Sequence, residues 1–188
     1  MAKIRCTAVD FQLKGLHIRR FRVEPPIDPF IFTLTASSNT MTTEIIFRYV
    51  HFLSILGIFA SLVAEHLLIA KSMTRAQIRR VSTIDAIFGL SALLALISGL
   101  LLWFVVGKPA EVYTQNGVFH AKIMLFVIVG LASIYPTLFF VKNRKGDATQ
   151  TIDLPKPLIM VVRLELLIVA LMPLLATMMS RGIGYFGG

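Results

Sequence analysis

Two histidines stand where an apolar chain makes imidazole costly. His51 lies in "FRYVHFLSILG" and His120 in "GVFHAKIMLF", each near the start of a mostly apolar run. Imidazole ligates haem iron, and one ring from each of two facing helices would clasp a porphyrin in an apolar slot. Arg48, one turn from His51, would pair with a haem propionate, and Lys122 would do the same from the rim. The cofactor on this reading is haem b, with His51 and His120 on the iron. An evenly weighted alternative leaves each ring as an interfacial residue satisfied by water or a lipid headgroup. The single cysteine, Cys6, gives neither a disulfide framework nor a cysteine-based metal centre.

A second group of polar residues is Glu65, His66, Asp85, Arg163 and Glu165. Charged side chains inside a span are rare and usually face the bundle interior. Ion pairs holding the helices in register are the expected role, with a proton relay or a substrate-contact site as the alternative. His51 and His66 are fifteen residues apart, about 22 Å along a helix, so they cannot share one metal. Met172, Met178 and Met179 lie on the same side as His51 and His120. Thioether and imidazole suit copper, although core filling is the commoner use of methionine.

These residues need elements to hold them. The 188 residues are 56% apolar and only 15% charged, against roughly 25% charged in soluble domains. Four segments, at roughly residues 45–70, 84–106, 118–141 and 158–180, meet the span rule of about 20 apolar residues. Each is too long for a strand, and a helix satisfies its own backbone in lipid. The connections are short, so consecutive spans are antiparallel neighbours. The predicted fold is all-α: an integral membrane up-down-up-down four-helix bundle. The net charge of +9 does not mark a nucleic-acid binder, because it is concentrated in loops. Lys71, Arg75, Arg79 and Arg80 crowd the first, and Lys142, Arg144, Lys145 and Lys156 the third. The middle loop has Lys108 offset by Glu111. The positive-inside rule then puts the first and third loops in the cytoplasm and both termini outside.

At about 100° per residue, Glu44, Arg48, Ser54, Glu65 and His66 all fall within about 60° of His51. That stripe should face inward, with Gly57, Ala60, Ser61 and Ala64 permitting close helix approach. His120 and Lys122 are about 200° apart. If His120 points in, Lys122 points to a neighbour or snorkels outward. Arg163 and Glu165 likewise sit on different sides of the fourth span. The second span begins near Asp85 and carries Trp103, suited to the interfacial belt. Pro136 and Pro173 should bend the third and fourth spans.

Residues 1–40 differ from the rest. They carry Lys3, Arg5, Lys14, Arg19, Arg20 and Arg22 and no span-length apolar run. They read as a basic N-terminal extension, either disordered or upstream of a true start at Met41, ahead of a membrane domain over 41–188.

The motifs "YVHFLSILG" and "FHAKIMLF" resemble the HemJ-type protoporphyrinogen IX oxidases, and more distantly CopD-like membrane domains. HemJ-type proteins have a histidine early in the first helix and an H-x-K motif opening the third. The chain is also similar to a family of small uncharacterised bacterial four-helix membrane proteins, a domain of unknown function, over roughly Met41–Arg181. The HemJ likeness implies haem b and porphyrin-related redox chemistry, with His51 and His120 as ligands and Lys122 as a functional partner. The fourth span departs from the oxidase pattern R-x-x-N-E-x-P: "VRLELLIVALMP" sets Arg163 and Glu165 too close and lacks the asparagine. The end of the first span, "AEHLLIAK", differs too.

The sequence therefore predicts a bacterial inner-membrane redox protein binding haem b, acting in electron transfer or on a porphyrin-type or quinone-type substrate. Its partners would be the bilayer, a redox protein or quinone and a second copy of itself. The competing classes are a non-catalytic scaffold or accessory subunit, and a dimeric transporter of protons or copper using the Glu65, Asp85, Arg163 and Glu165 group.

Overall fold

A computed structural model of the chain describes residues 6–13, 16–23, 29–107 and 109–186, with side chains described from Met41 onward. Lys3, Arg5, Lys14 and Lys108 lie outside the described residues. The chain divides into two compact units, Met1–Thr42 and Thr43–Gly188. In the first, β1 (Cys6–Leu13) and β2 (Leu16–Val23) form an antiparallel hairpin, with Cys6 opposite Val23 and Leu13 opposite Leu16.

The second unit is built from four long apolar helical stretches, Met41–Leu68, Arg75–Val106, Gly117–Asn143 and Lys156–Ser180, each able to cross a bilayer by length and composition. The first belongs to α1 (Pro29–Leu68). The second is α2 (Arg75–Leu101), prolonged by a wider π-helical turn over Leu102–Val106. A short α3 (Ala110–Thr114) precedes the third, which is α4 (Gly117–Ala132) followed by α5 (Ile134–Asn143). The fourth is α6 (Lys156–Ser180), continuous through Pro173.

Two boundaries differ from the sequence reading, each for a local reason. The second span starts at Arg75 rather than near Asp85 because Thr74 and Gln77 form a reciprocal capping box. Asp85 is thereby placed about 15 Å along the helix. The third span breaks at Ser133. Pro136 has no N–H to give the Ala132 carbonyl, so the ladder cannot run through.

The first and third loops are not plain connections. β3 (Ser72–Thr74) and β4 (Thr151–Asp153) pair antiparallel, with Met73 opposite Ile152. Arg75 donates from Nη1 to the Asn143 carbonyl at 3.0 Å and to the Lys145 carbonyl, and from Nε to Gln150 Oε1 at 2.8 Å. Arg79 adds bonds to the Arg144 and Gly146 carbonyls at 2.8 and 2.7 Å. Guanidinium forks thus fasten the third loop to the foot of α2, at what we call the basic end of the bundle.

Two apolar clusters make the core. One, towards the basic end, joins Met73, Ile78, Val81, Phe140, Leu154, Leu158 and Val162. The other joins Ile58, Leu62, Phe88, Ala95, Val129 and Val169. Much of the remaining apolar side-chain surface points outward, as with Phe52, Leu90, Leu131 and Leu167. That inversion of the soluble pattern is what a hydrocarbon solvent favours. Gly57 explains the close crossing of α1 on α2: a Cβ there would come within 2.6 Å of Ser91 Oγ.

Candidate functional site

Between the two apolar clusters lies a layer of carboxyls. On α2, Ile78 and Val81 belong to one cluster and Phe88 and Ala95 to the other, with Ser82 and Asp85 between them. On α6, Glu165 stands between Val162 and Val169, and on α1 Glu65 follows Leu62. The three- and four-residue spacing keeps these positions on the inward face of each helix. Glu65 and Glu165 are each 1% exposed and Asp85 4%. Glu65 lies within Coulombic reach of both Asp85 and Glu165, and Glu165 within reach of Asp85.

Little neutralises this layer. Thr137 Oγ1 donates to Asp85 Oδ1 at 2.9 Å. Oε1 of Glu65, Oε1 of Glu165 and Oγ of Ser82 are buried with no hydrogen-bond partner. Among the described residues none of the three acids has a cationic partner. The expected ion pairs are therefore not formed. Arg163 is exposed on the outer face of α6, because two residues of helix turn it away from Glu165. His66, one residue and about 100° on from Glu65, leaves the expected inward stripe and lines an outer groove between α1 and α6. Three acids from three helices thus share one buried layer, and no described residue brings a cation to it.

A second polar group sits towards the other end of the bundle. His51 is half-buried and its Nδ1 donates to the Ala95 carbonyl at 2.9 Å and to Ser98 Oγ at 3.1 Å. A carbonyl cannot donate, so the proton is on Nδ1 and the free lone pair on Nε2. The ring lies against Gly99, where a Cβ would meet Cε1 at 3.1 Å. Lys122 is half-buried and within Coulombic reach of His51. His120 is exposed, with Nδ1 bonded back to the Asn116 carbonyl at 2.9 Å.

The expected orientation of this pair is thus reversed: Lys122 turns inward and His120 outward. Asn116 sets that phase. It is buried, caps α4 through Oδ1 to the Val118 and Phe119 amides, and bonds the Ile183 carbonyl through Nδ2. His120, one turn on, lies outside with its ring folded back on the Asn116 carbonyl. Because the face of α4 nearest His51 carries Lys122, the two imidazoles do not fit a single bis-histidine haem. Arg48 is also outward and pairs with Glu44 one turn earlier. Trp103 is half-buried rather than a plain interfacial anchor; it stacks on Phe104 and meets Phe119 edge-on, with Nε1 buried and unpartnered.

Met172, Met178 and Met179 are half-buried. Among the described residues no group of three His, Cys, Asp or Glu side chains is arranged to hold a metal ion. Thr137, Ser82 and Ser98 were not singled out by sequence reasoning. Hydroxyls recur throughout apolar helices, and only the partner across the bundle separates these from the rest.

No curated protein and no solved structure matches this chain, so the likeness to HemJ-type oxidases and CopD-like domains rests on the two short motifs. Residues 43–184 match the family described as "Predicted membrane protein (DUF2214)". That stretch takes in the carboxyl layer, the His51 group and all four apolar helices, and the chain belongs to this family of predicted membrane proteins.

Proposed function

We propose that the protein handles protons within the bilayer, with Glu65, Asp85 and Glu165 as the proton-holding groups. The observation that carries this reading is the pair of orphaned buried oxygens, Glu65 Oε1 and Glu165 Oε1, in a layer to which no described residue brings a cation. Intramembrane carboxyls of this kind are the usual elements of proton relays. A proton passing along the layer would move among three carboxyls on three helices, with the Thr137 hydroxyl orienting Asp85. The apolar clusters above and below close the layer at both sides, the geometry of an occluded state. The break at Ser133, beside Pro136 and Thr137, supplies a joint at the same depth. Four spans are few for a transporter, so the working form would be a dimer. The basic end would face the cytoplasm of a bacterial inner membrane.

The test is proton flux into liposomes loaded with a pH-sensitive dye, under an imposed membrane potential. Wild-type protein should dissipate the gradient, and Glu65→Gln should fall to the rate of protein-free liposomes. Flux in Glu65→Gln equal to wild type would overturn the assignment, and a wild type no leakier than empty liposomes would leave a non-catalytic scaffold.

The redox reading keeps one observation in its favour. Nδ1 of His51 and of His120 both engage main-chain carbonyls, leaving each Nε2 free, as an iron-ligating imidazole requires. The two rings face different ways, His51 towards α2 and His120 outward. Protein made with added haem precursor should be colourless; a Soret band abolished by His51→Ala would install the redox reading instead.

A further inference from the structure

The acids of α1 and α6 turn inward, and the bases beside them turn out into one groove. This groove, about 510 Å³, is walled by Phe59 and Val63 of α1 and by Leu167 and Ala170 of α6, among others. His66 and Arg163 also line it, and both lie at its basic end, since α1 runs towards that end and α6 away from it. Arg163 is exposed, about 10 Å along α6 from Lys156. Among the described residues its guanidinium has neither a carboxylate nor a hydrogen-bond partner. A cation at this depth facing hydrocarbon is costly unless an anion comes to it.

We propose that the groove is a binding site for an anionic phospholipid. Its phosphate would rest on the Arg163 fork and the His66 ring, and an acyl chain would run along Phe59 and Val63 towards Ala170. Guanidinium matches phosphate oxygens in bidentate geometry, and basic pockets between spans take anionic headgroups. The bilayer itself delivers a phosphate joined to an apolar tail, which is the shape of this groove: cationic at one end and apolar along its length. The site is independent of the carboxyl layer, and its success or failure leaves the proton reading untouched.

The experiment is native mass spectrometry of detergent-purified protein titrated with phosphatidylglycerol or phosphatidylcholine. Wild type should hold phosphatidylglycerol about fivefold more tightly than phosphatidylcholine. Arg163→Gln should bind the two alike while keeping the wild-type elution volume and melting temperature in lipid-free detergent. Ala170→Trp, which fills the apolar end without touching a charge, should also lose bound phosphatidylglycerol, so a poorly folding Arg163→Gln would still leave the proposal testable. A wild type without headgroup preference, or an Arg163→Gln that keeps it, overturns the proposal. So would displacement of the lipid by inorganic phosphate alone, which would mark a free-anion site. Loss of a dimer in Arg163→Gln would overturn it too, by making the groove a contact between subunits.

Discussion

The two polar groups inside this bundle are built on opposite principles. At the His51 end the titratable ring is satisfied: Nδ1 has a main-chain carbonyl and a serine hydroxyl, and Cε1 and Nδ1 lie close to Gly99. At the other end three carboxyls crowd together and two of their oxygens have no partner at all. A satisfied buried group stiffens a helix pair and specifies its register. An unsatisfied one lowers stability, and its retention points to a use other than packing. The difference teaches that His51, which draws attention in the sequence, is held as a clip between two helices, while the less conspicuous glutamates are the groups left without partners.

Glu165→Gln strikes hardest at that contrast. It keeps volume and removes one titratable group, so proton flux in liposomes should drop to the protein-free rate, as for Glu65→Gln. If flux survives both substitutions, the carboxyl layer is structural and the contrast between the two groups disappears. Next in size is Arg75→Ala, which cuts the fork holding Asn143, Lys145 and Gln150 to α2. Charged hydrogen bonds of this kind contribute roughly 1.5–3 kcal/mol each when well sheltered. These are partly exposed, and about 2 kcal/mol in total is expected, read as a fall in unfolding free energy in mixed micelles. Hydrogen exchange should rise at the basic end, around Arg75 and Phe140, and stay unchanged around His51. Uniform loosening of the bundle would show that the two groups are not separable.

A smaller effect comes from the satisfied end. His51→Ala removes the bonds to Ala95 and Ser98 and leaves a half-buried gap beside Gly99. The expected loss is about 1–2 kcal/mol, measured by the same unfolding assay. A loss above that of Arg75→Ala would make His51 more than a clip between α1 and α2.

Helix existence was legible because length and apolarity decide it in lipid, and four uninterrupted runs leave little choice. The phase of α4 was not legible. Residues two apart must face different ways, but which one turns inward depends on Asn116, whose cap is locked by the Ile183 carbonyl 67 positions away. Periodicity carries no information about that bond. The inward face of α1 was readable from Ser54 and Glu65, both buried, yet its two ends were not, because Arg48 finds Glu44 on the outer side and His66 lines the outer groove. The acids were recognised and their pairing was misjudged for one reason. Sequence spacing shows that Arg163 and Glu165 diverge, but only the packed bundle shows that, among the described residues, no other cation comes to fill the layer.

The smallest expected effect lies outside both polar groups, in the third loop, and its pH dependence has a fixed sign. Asp147 Oδ1 accepts from the Thr149 amide at 3.1 Å and its hydroxyl at 3.0 Å. These bonds, with a lesser contribution from the Arg75 charge, hold its carboxyl below the ordinary value of 3.8. A folded-state value below the unfolded one means the contribution to stability is present above pH 3.8 and is lost as pH falls through the folded value. Asp147→Asn should therefore melt slightly earlier than wild type at neutral pH, and the gap should close on acidification towards pH 3. The side chain is fully exposed, so salt should shrink the Arg75 share of the gap and leave the Thr149 share. A gap that widened as pH fell would mean that the Asp147 carboxylate is a liability in the folded loop, and that the Thr149 bonds do not hold it in solution.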